Sequence, residues 1–434
     1  MTGPNGLVAE FPSTREEAWR YTPVDEIVAR LEAATADATE AADAAAAVVS
    51  HSLVDALASD TRGTRIVFVN GAYEARLSNN DALPDGVWCG LTDPHHGIDD
   101  TGLELRQNTT VDGFLARNLA SGTRGIVVVV DDDVEVVGPV HIIHISVPMS
   151  TDNVATPDPR HSTPADHRGD GHEGHVTVAS HPRSIIDVGD NSHIALIETF
   201  CGLHGAAVTN TASTIRVGRG AKVEHCRVQT ESIATTHIGH TRIEQEAGSR
   251  FQMISVTIGS DIARNAVLVH LNGPGATTTL AGVNVTTGRQ RHDTVVTVDH
   301  GAPGCTSTQR FTGVVDDHGR CSFSGEILVR PGMDATDAQQ FNRNLILGPN
   351  AEADTRPWLQ ILADDVRCNH GATVGRLDDD ALFYLRSRGI PLEMARSMLV
   401  DAFIRDTTDA IPEESLRQHI LALIGTTTDG EAPL

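Results

Sequence analysis

The chain has 434 residues and a formal charge of −25, from 58 Asp plus Glu against 33 Lys plus Arg; this excludes the broad basic surface that nucleic-acid and anionic-membrane binding rely on. One of those 33 basic residues is lysine, Lys222 in GRGAKVE, which is not a P-loop, so ATP hydrolysis by this chain and a cofactor-bearing lysine elsewhere are excluded. Aromatic residues make up 4%, so the apolar content is Val, Ile, Ala and Leu, which suits narrow layers of small side chains.

Residues 1–120 read as a mixed N-terminal α/β region. MTGPNGLVAEF lacks the basic start and apolar run of a signal peptide, and no stretch of the chain approaches the ~18 apolar residues of a membrane span, so a cytoplasmic protein is expected. FPSTREEAWRYTPVDEIVARLEAA predicts a helix capped by Ser13 or Thr14, with Glu16 and Glu17 in its first turn, and a second helix after Pro23. The Ala-rich stretch 33–49 is a helix or a low-complexity connector. Segments 64–70 and 72–77 predict a strand pair around Gly71.

Residues 121–372 change character. Short alternating segments recur, among them GIVVVVDDDVEVVG, HIALIETF, TIRVGRGAKVEHCRVQT and TVVTVDHG. Turn glycines fall at Gly189, Gly220, Gly248, Gly275 and Gly304, at intervals of 31, 28, 27 and 29. A turn at that spacing with two or three short strands between predicts stacked solenoid coils, because a sandwich would show hairpin signals every ~8–12 residues. The expected fold is mainly β with α ends: a right-handed parallel β-helix. Within it, 150–174 is polar and rich in Pro and Gly, and reads as a mobile loop insertion.

Residues 373–434 predict a C-terminal helical domain with a disordered tail. DDDALFYLRSRG has acids at its start, Arg386 and Arg388 at its end and Gly389 as a stop. After Pro391, Leu392, Ala395, Leu399, Ala402 and Phe403 share one helix face. After Pro412, Leu416, Ile420, Leu423 and Ile424 share another, with Gly425 as a stop.

The six cysteines (Cys89, Cys201, Cys226, Cys305, Cys321, Cys368) form no CxxC pair, which suits reduced thiols. His161, His167, His172 and His175, with Asp166, Asp170 and Glu173, make the loop His-rich, but no tight ligand spacing appears and HEGH is not HExxH. His225 and Cys226 are adjacent on a strand and face opposite sides. Cys201 and His204 could chelate, although a buried thiol fits Cys201 better. Lys222 lies in a turn between coils. Cys368 and His370, two residues apart, project to one face of an extended strand, where a thiolate and an imidazole suit iron or zinc. Spacing alone favours a small buried thiol beside a hydrogen-bonded imidazole, and two ligands need others from elsewhere in the chain or from a partner.

Around that pair, CNHGATVGRLDDDALFYLRSRGI resembles the SufD-type members of the SufB/SufD family, subunits of the SUF iron–sulfur cluster assembly system. EEAWRYTPVDEI and NLILGPNAEADTRPWLQILADDV match the same family, and the middle of the chain agrees in pattern. SufB usually carries Glu where this chain has Gly371, which favours the SufD type; Asn369 replaces a common Ser. The resemblance implies a non-catalytic scaffold of a SufBCD complex, implicated in iron entry and cluster formation. It implies pairing with SufB through the β-helices, with Cys368 and His370 at that interface. It also implies binding of the SufC ATPase by the C-terminal helices, for which Leu382, Phe383, Tyr384, Leu385, Arg386, Arg388 and Gly389 are the candidate residues. No cofactor would be held stably by the chain alone, with iron or a nascent cluster bound in the complex. Without SufB, the free β-helix edge would suit a homodimer. The competing reading is a carbohydrate-active β-helix enzyme, which the scarcity of Trp and Tyr disfavours.

Overall fold

A computed structural model describes residues 9–34, 45–58, 63–79, 83–92, 111–121, 125–150, 175–411 and 413–428. Its strands wind as a parallel solenoid of two facing sheets. Each full coil gives one strand to each sheet: Lys222–Gln229 lies in the first, Thr236–Gln245 in the second, and Arg250–Thr257 returns to the first. Successive coils stack in register, with Lys222 opposite Arg250, Arg250 opposite Thr277 and Thr277 opposite Thr306.

The turns follow the glycine spacing. Gly220, Gly248, Gly275 and Gly304 have φ of +66°, +66°, +71° and +67°, which glycine adopts without steric cost. Gly189 serves differently. At its turn Asn191 takes the left-handed conformation, at φ +57°. Gly189 is small because a Cβ there would lie 2.6 Å from the backbone nitrogen of Asp132.

Part of the lumen is apolar. Ile142, Leu196, Val223, Phe251 and Leu280 from the first sheet meet Ile215, Ile243, Val269 and Val298 from the second. Helices cover both outer faces. His51–Ala58 packs Val54 and Ala58 on Val67, Ile143 and Ile145 of the first sheet. Further along that sheet, Leu392–Thr408 and Glu414–Thr428 lie on Val256, Val283, Val285 and Val314. Val24–Ala33 packs Ile27 and Leu31 on Val208, Ile238 and Ile262 of the second sheet.

Several expectations need correction. Residues 13–19 form a short 3-10 turn, Glu17–Trp19, rather than a capped α-helix; the Ser13 backbone N–H donates to Glu16. The strand pair around Gly71 is present, and its first strand joins the solenoid, with Thr64 opposite Val140 in parallel. The helix Leu392–Thr408 buries Ala395, Val400, Ile404, Thr407 and Thr408, while Leu392 and Ala402 are exposed. The apolar sheet surface selects that rotation, and Arg343 covers the half-buried Phe403 ring at 4.7 Å. The last helix runs through Gly425 to Thr428. The Pro/Gly-rich loop falls outside the described residues from 151 to 174, with His161, His167 and His172, as do most of the Ala-rich stretch and the tail from 429.

The two ends of the solenoid differ. At the N-terminal end, short antiparallel strands close the sheets: Ala72–Tyr73 on the first and Val87–Leu91 on the second. At the other end, Val366–Gly375 and Glu352–Ile361 are the terminal strands of their sheets. They leave edge hydrogen-bonding groups unpaired among the described residues, the arrangement that invites strand addition.

Candidate functional site at the open end of the solenoid

Cys368 and His370 sit on this open edge, in the strand Val366–Gly375. They lie opposite Ala338 and Gln340, both fully buried in the lumen of the preceding coil. The register therefore places both residues on one face, the lumen side of the last coil. Among the described residues no further coil covers them, and Cys368 is half-buried and His370 exposed. The Cys368 thiol packs with Ile327, Val329 and Ala338. Burial raises its pKa, and the Asp337 carboxylate adds to the rise. Both effects favour the thiol over the thiolate.

Among the described residues, no group of three or more His, Cys, Asp or Glu could hold a metal ion. Cys368 and His370 offer two convergent soft-to-borderline donors. Gly371 beside them is not sterically required: a Cβ would meet Phe341 at 3.4 Å, an ordinary contact.

The helix Asp379–Ser387 follows the edge strand. Asp378 caps it by accepting from the N–H groups of Asp380 and Ala381, and Gly389 ends it at φ +85°. None of its residues is buried. Phe383 and Tyr384 are 73% and 58% exposed, so these two rings are not core. Arg388 lies 5.1 Å from the Tyr384 ring, and Leu382 and Leu385 are half-buried. Leu392, Met394 and Met398 extend this exposed apolar patch onto the next helix.

The other candidates do not converge on a site. Cys201 is buried beneath the N-terminal helices while His204 is exposed. Lys222 begins the strand Lys222–Gln229 rather than lying in the turn, and pairs with Glu224 at 2.9 Å. His225 points into the lumen near Glu198, while Cys226 packs under the C-terminal helices.

Sequence reasoning missed a buried polar cluster in the lumen. Glu198 accepts from Ser184 at 2.8 Å, and the rings of His144 and His225 stand 3.8 and 3.6 Å away. Burial pushes the Glu198 carboxyl up, but these two imidazoles more than offset it and hold its pKa well below the usual range. Arg227 contacts His237 Nε2 at 2.5 Å, and His237 Nδ1 contacts Glu231 at 2.7 Å. A guanidinium can only donate, so His237 accepts at Nε2 and donates its Nδ1 proton to Glu231. The signal was present as alternation, but its polar positions looked like solvent-facing ones.

Residues 168–403 match the family described as "SUF system FeS cluster assembly, SufBD core domain". The chain belongs to the SufBD family. It is 30% identical to the iron–sulfur cluster assembly protein SufD of Escherichia coli, over 97% of this chain and 90% of that protein. A SufBD family protein of Synechocystis is 30% identical over 94% of this chain and 86% of its own length. A chloroplastic Arabidopsis thaliana protein, ABCI7, is 28% identical over 95% and 82%. SufBD membership gives the chain a role in iron–sulfur cluster assembly within the SUF system. Among the described residues no helix is long and apolar enough to cross a membrane.

Proposed function

We propose that this chain is a non-catalytic scaffold subunit of a SufBCD complex, pairing with SufB along its open solenoid edge. The observation that carries the reading is the placement of Cys368 and His370 on one face of that edge. A second subunit adding its own strands there would cover the half-buried thiol and bring the ligands this chain lacks. Iron or a nascent cluster, the substrate of assembly, would be held between the two chains, with Cys368 and His370 as this chain's donors. The exposed Phe383, Tyr384, Met394 and Met398 suit the docking of SufC, which would supply the ATPase.

Co-expression with SufB and SufC homologues, followed by size exclusion, tests the assembly. A stable three-component complex is expected, and separate elution of the chains would overturn the reading. Replacing Phe383 and Tyr384 together by Ser should weaken SufC retention by about 2 kcal/mol or more. The fold should hold, because neither ring is buried.

A further inference from the structure

We propose that residues 13–33 are a clasp that positions the terminal coil, and with it the edge carrying Cys368 and His370. The functional weight of that edge rests on the assembly reading above; the clasp itself does not. The motif EEAWRYTPVDEI has no place in the assembly chemistry, yet three of its polar residues, Glu17, Thr22 and Glu26, reach strands of the solenoid. Glu26 accepts from both guanidinium nitrogens of Arg291, at 2.8 and 2.9 Å. Arg30 bridges Glu26 and Asp261, at 2.6 and 2.5 Å. Trp19 lies against Phe114 and under the Arg264 guanidinium, which is 3.6 Å from its ring centre. Thr22 donates to Asp293 at 2.5 Å, and Asp293 also accepts from Arg264 and, at 2.6 Å, from Ser322 of the next strand.

These contacts fix the clasp over the strands from Thr236–Gln245 to Arg320–Val329. Glu17 then reaches Arg356 of the terminal strand Glu352–Ile361, at 3.2 Å. Between clasp and solenoid lies a cleft of about 330 Å³, lined by Thr14, Arg20 and Tyr21 of the clasp and by Arg320, Glu352 and Asp354 of the strands. The clasp is thus anchored firmly in the middle of the solenoid and touches the last coil across an open gap. Glu17 acts as a positioning residue. Arg356 sits between it and the Trp358 ring, whose centre is 5.3 Å away, so the tie also orders an exposed aromatic at the edge.

Hydrogen–deuterium exchange on the full chain tests this with Glu17→Arg, Arg356→Glu and the double swap. Each single variant should speed exchange in 352–361 and 366–375 by roughly two- to fivefold, the range of one exposed ion pair. Exchange in 207–217 should not change. The double swap should restore protection in 352–361. Unchanged terminal exchange in the singles, an equal rise in 207–217, or no recovery in the double swap would overturn the clasp. Because this readout uses the isolated chain, loss of the SufB pairing would leave it standing. If the clasp effect appears and the three-component complex does not form, the assembly reading alone has failed.

Discussion

Acidification from pH 7 to 5 is expected to destabilise this chain strongly before its ion-paired carboxylates are titrated. Four buried histidines set this limit. Burial lowers the pKa of His141 to about 3, with Arg65 adding to the effect. Burial likewise lowers His181 to about 4, helped by Arg117 and Arg183, and His292 and His300 to about 4. All four folded values lie below the ordinary ~6.5, so the fold resists protons that the unfolded chain accepts. Stability is therefore complete above pH ~6.5 and is lost as pH falls toward 4. Each group costs roughly 2 kcal/mol by pH 5, and together they rival the ~5–15 kcal/mol stability of a domain. The carboxylates act later: Asp299, lowered to about 2 by Arg330 and His270 against its burial, loses its contribution as pH falls from ~4 toward 2. Urea midpoints followed by circular dichroism should fall steeply between pH 6.5 and 5. His292→Gln can still donate to the Gly259 carbonyl, which His292 Nε2 meets at 2.9 Å, and should flatten that slope. A midpoint constant from pH 7 to 5 would contradict this account.

Asp293→Ala should be the most damaging single substitution on the outer face of the second sheet. It strands the buried Arg264 guanidinium and removes the acceptor of both Thr22 and Ser322. Removing one partner of a buried ion pair typically costs about 3–5 kcal/mol, because the remaining charge is left desolvated. Adding Arg264→Met to Asp293→Ala should recover much of the loss, since no unpaired charge then remains. A double-mutant cycle by chemical denaturation measures both steps. A loss below about 1 kcal/mol for Asp293→Ala would show that the pair does not fasten the clasp.

The solenoid was legible because its turns need residues of a particular kind at a nearly constant spacing. The C-terminal helix was legible for a similar reason, since Asp378 and Gly389 are local signals. The lumen cluster was not. Alternation marks two faces of a strand but does not say which is buried, and here both are. His225 and Cys226 are neighbours and both buried, one toward the lumen and one under helices. The folding-back of helices over the outer sheet faces is a long-range event with no local signature. For the same reason the buried face of Leu392–Thr408 lies about one residue from the face that its apolar spacing predicts. Trp19 likewise reads as part of a capped helix, because its partner Arg264 lies over 200 residues away. At the candidate site, the shared face of Cys368 and His370 followed from their spacing, and the open edge that exposes them required the three-dimensional order of the strands.

The most direct test of the central claim is the iron and acid-labile sulfide content of the complex co-purified anaerobically with SufB and SufC homologues. It should be compared for the unaltered chain, Cys368→Ser and His370→Ala. Both positions are at least partly exposed, so the variants should assemble normally. The expected result is an intact complex whose iron and sulfide content, or transfer to an apo-acceptor, falls by about tenfold or more. Intact complexes with unchanged iron, sulfide and transfer in both variants would remove Cys368 and His370 from the mechanism.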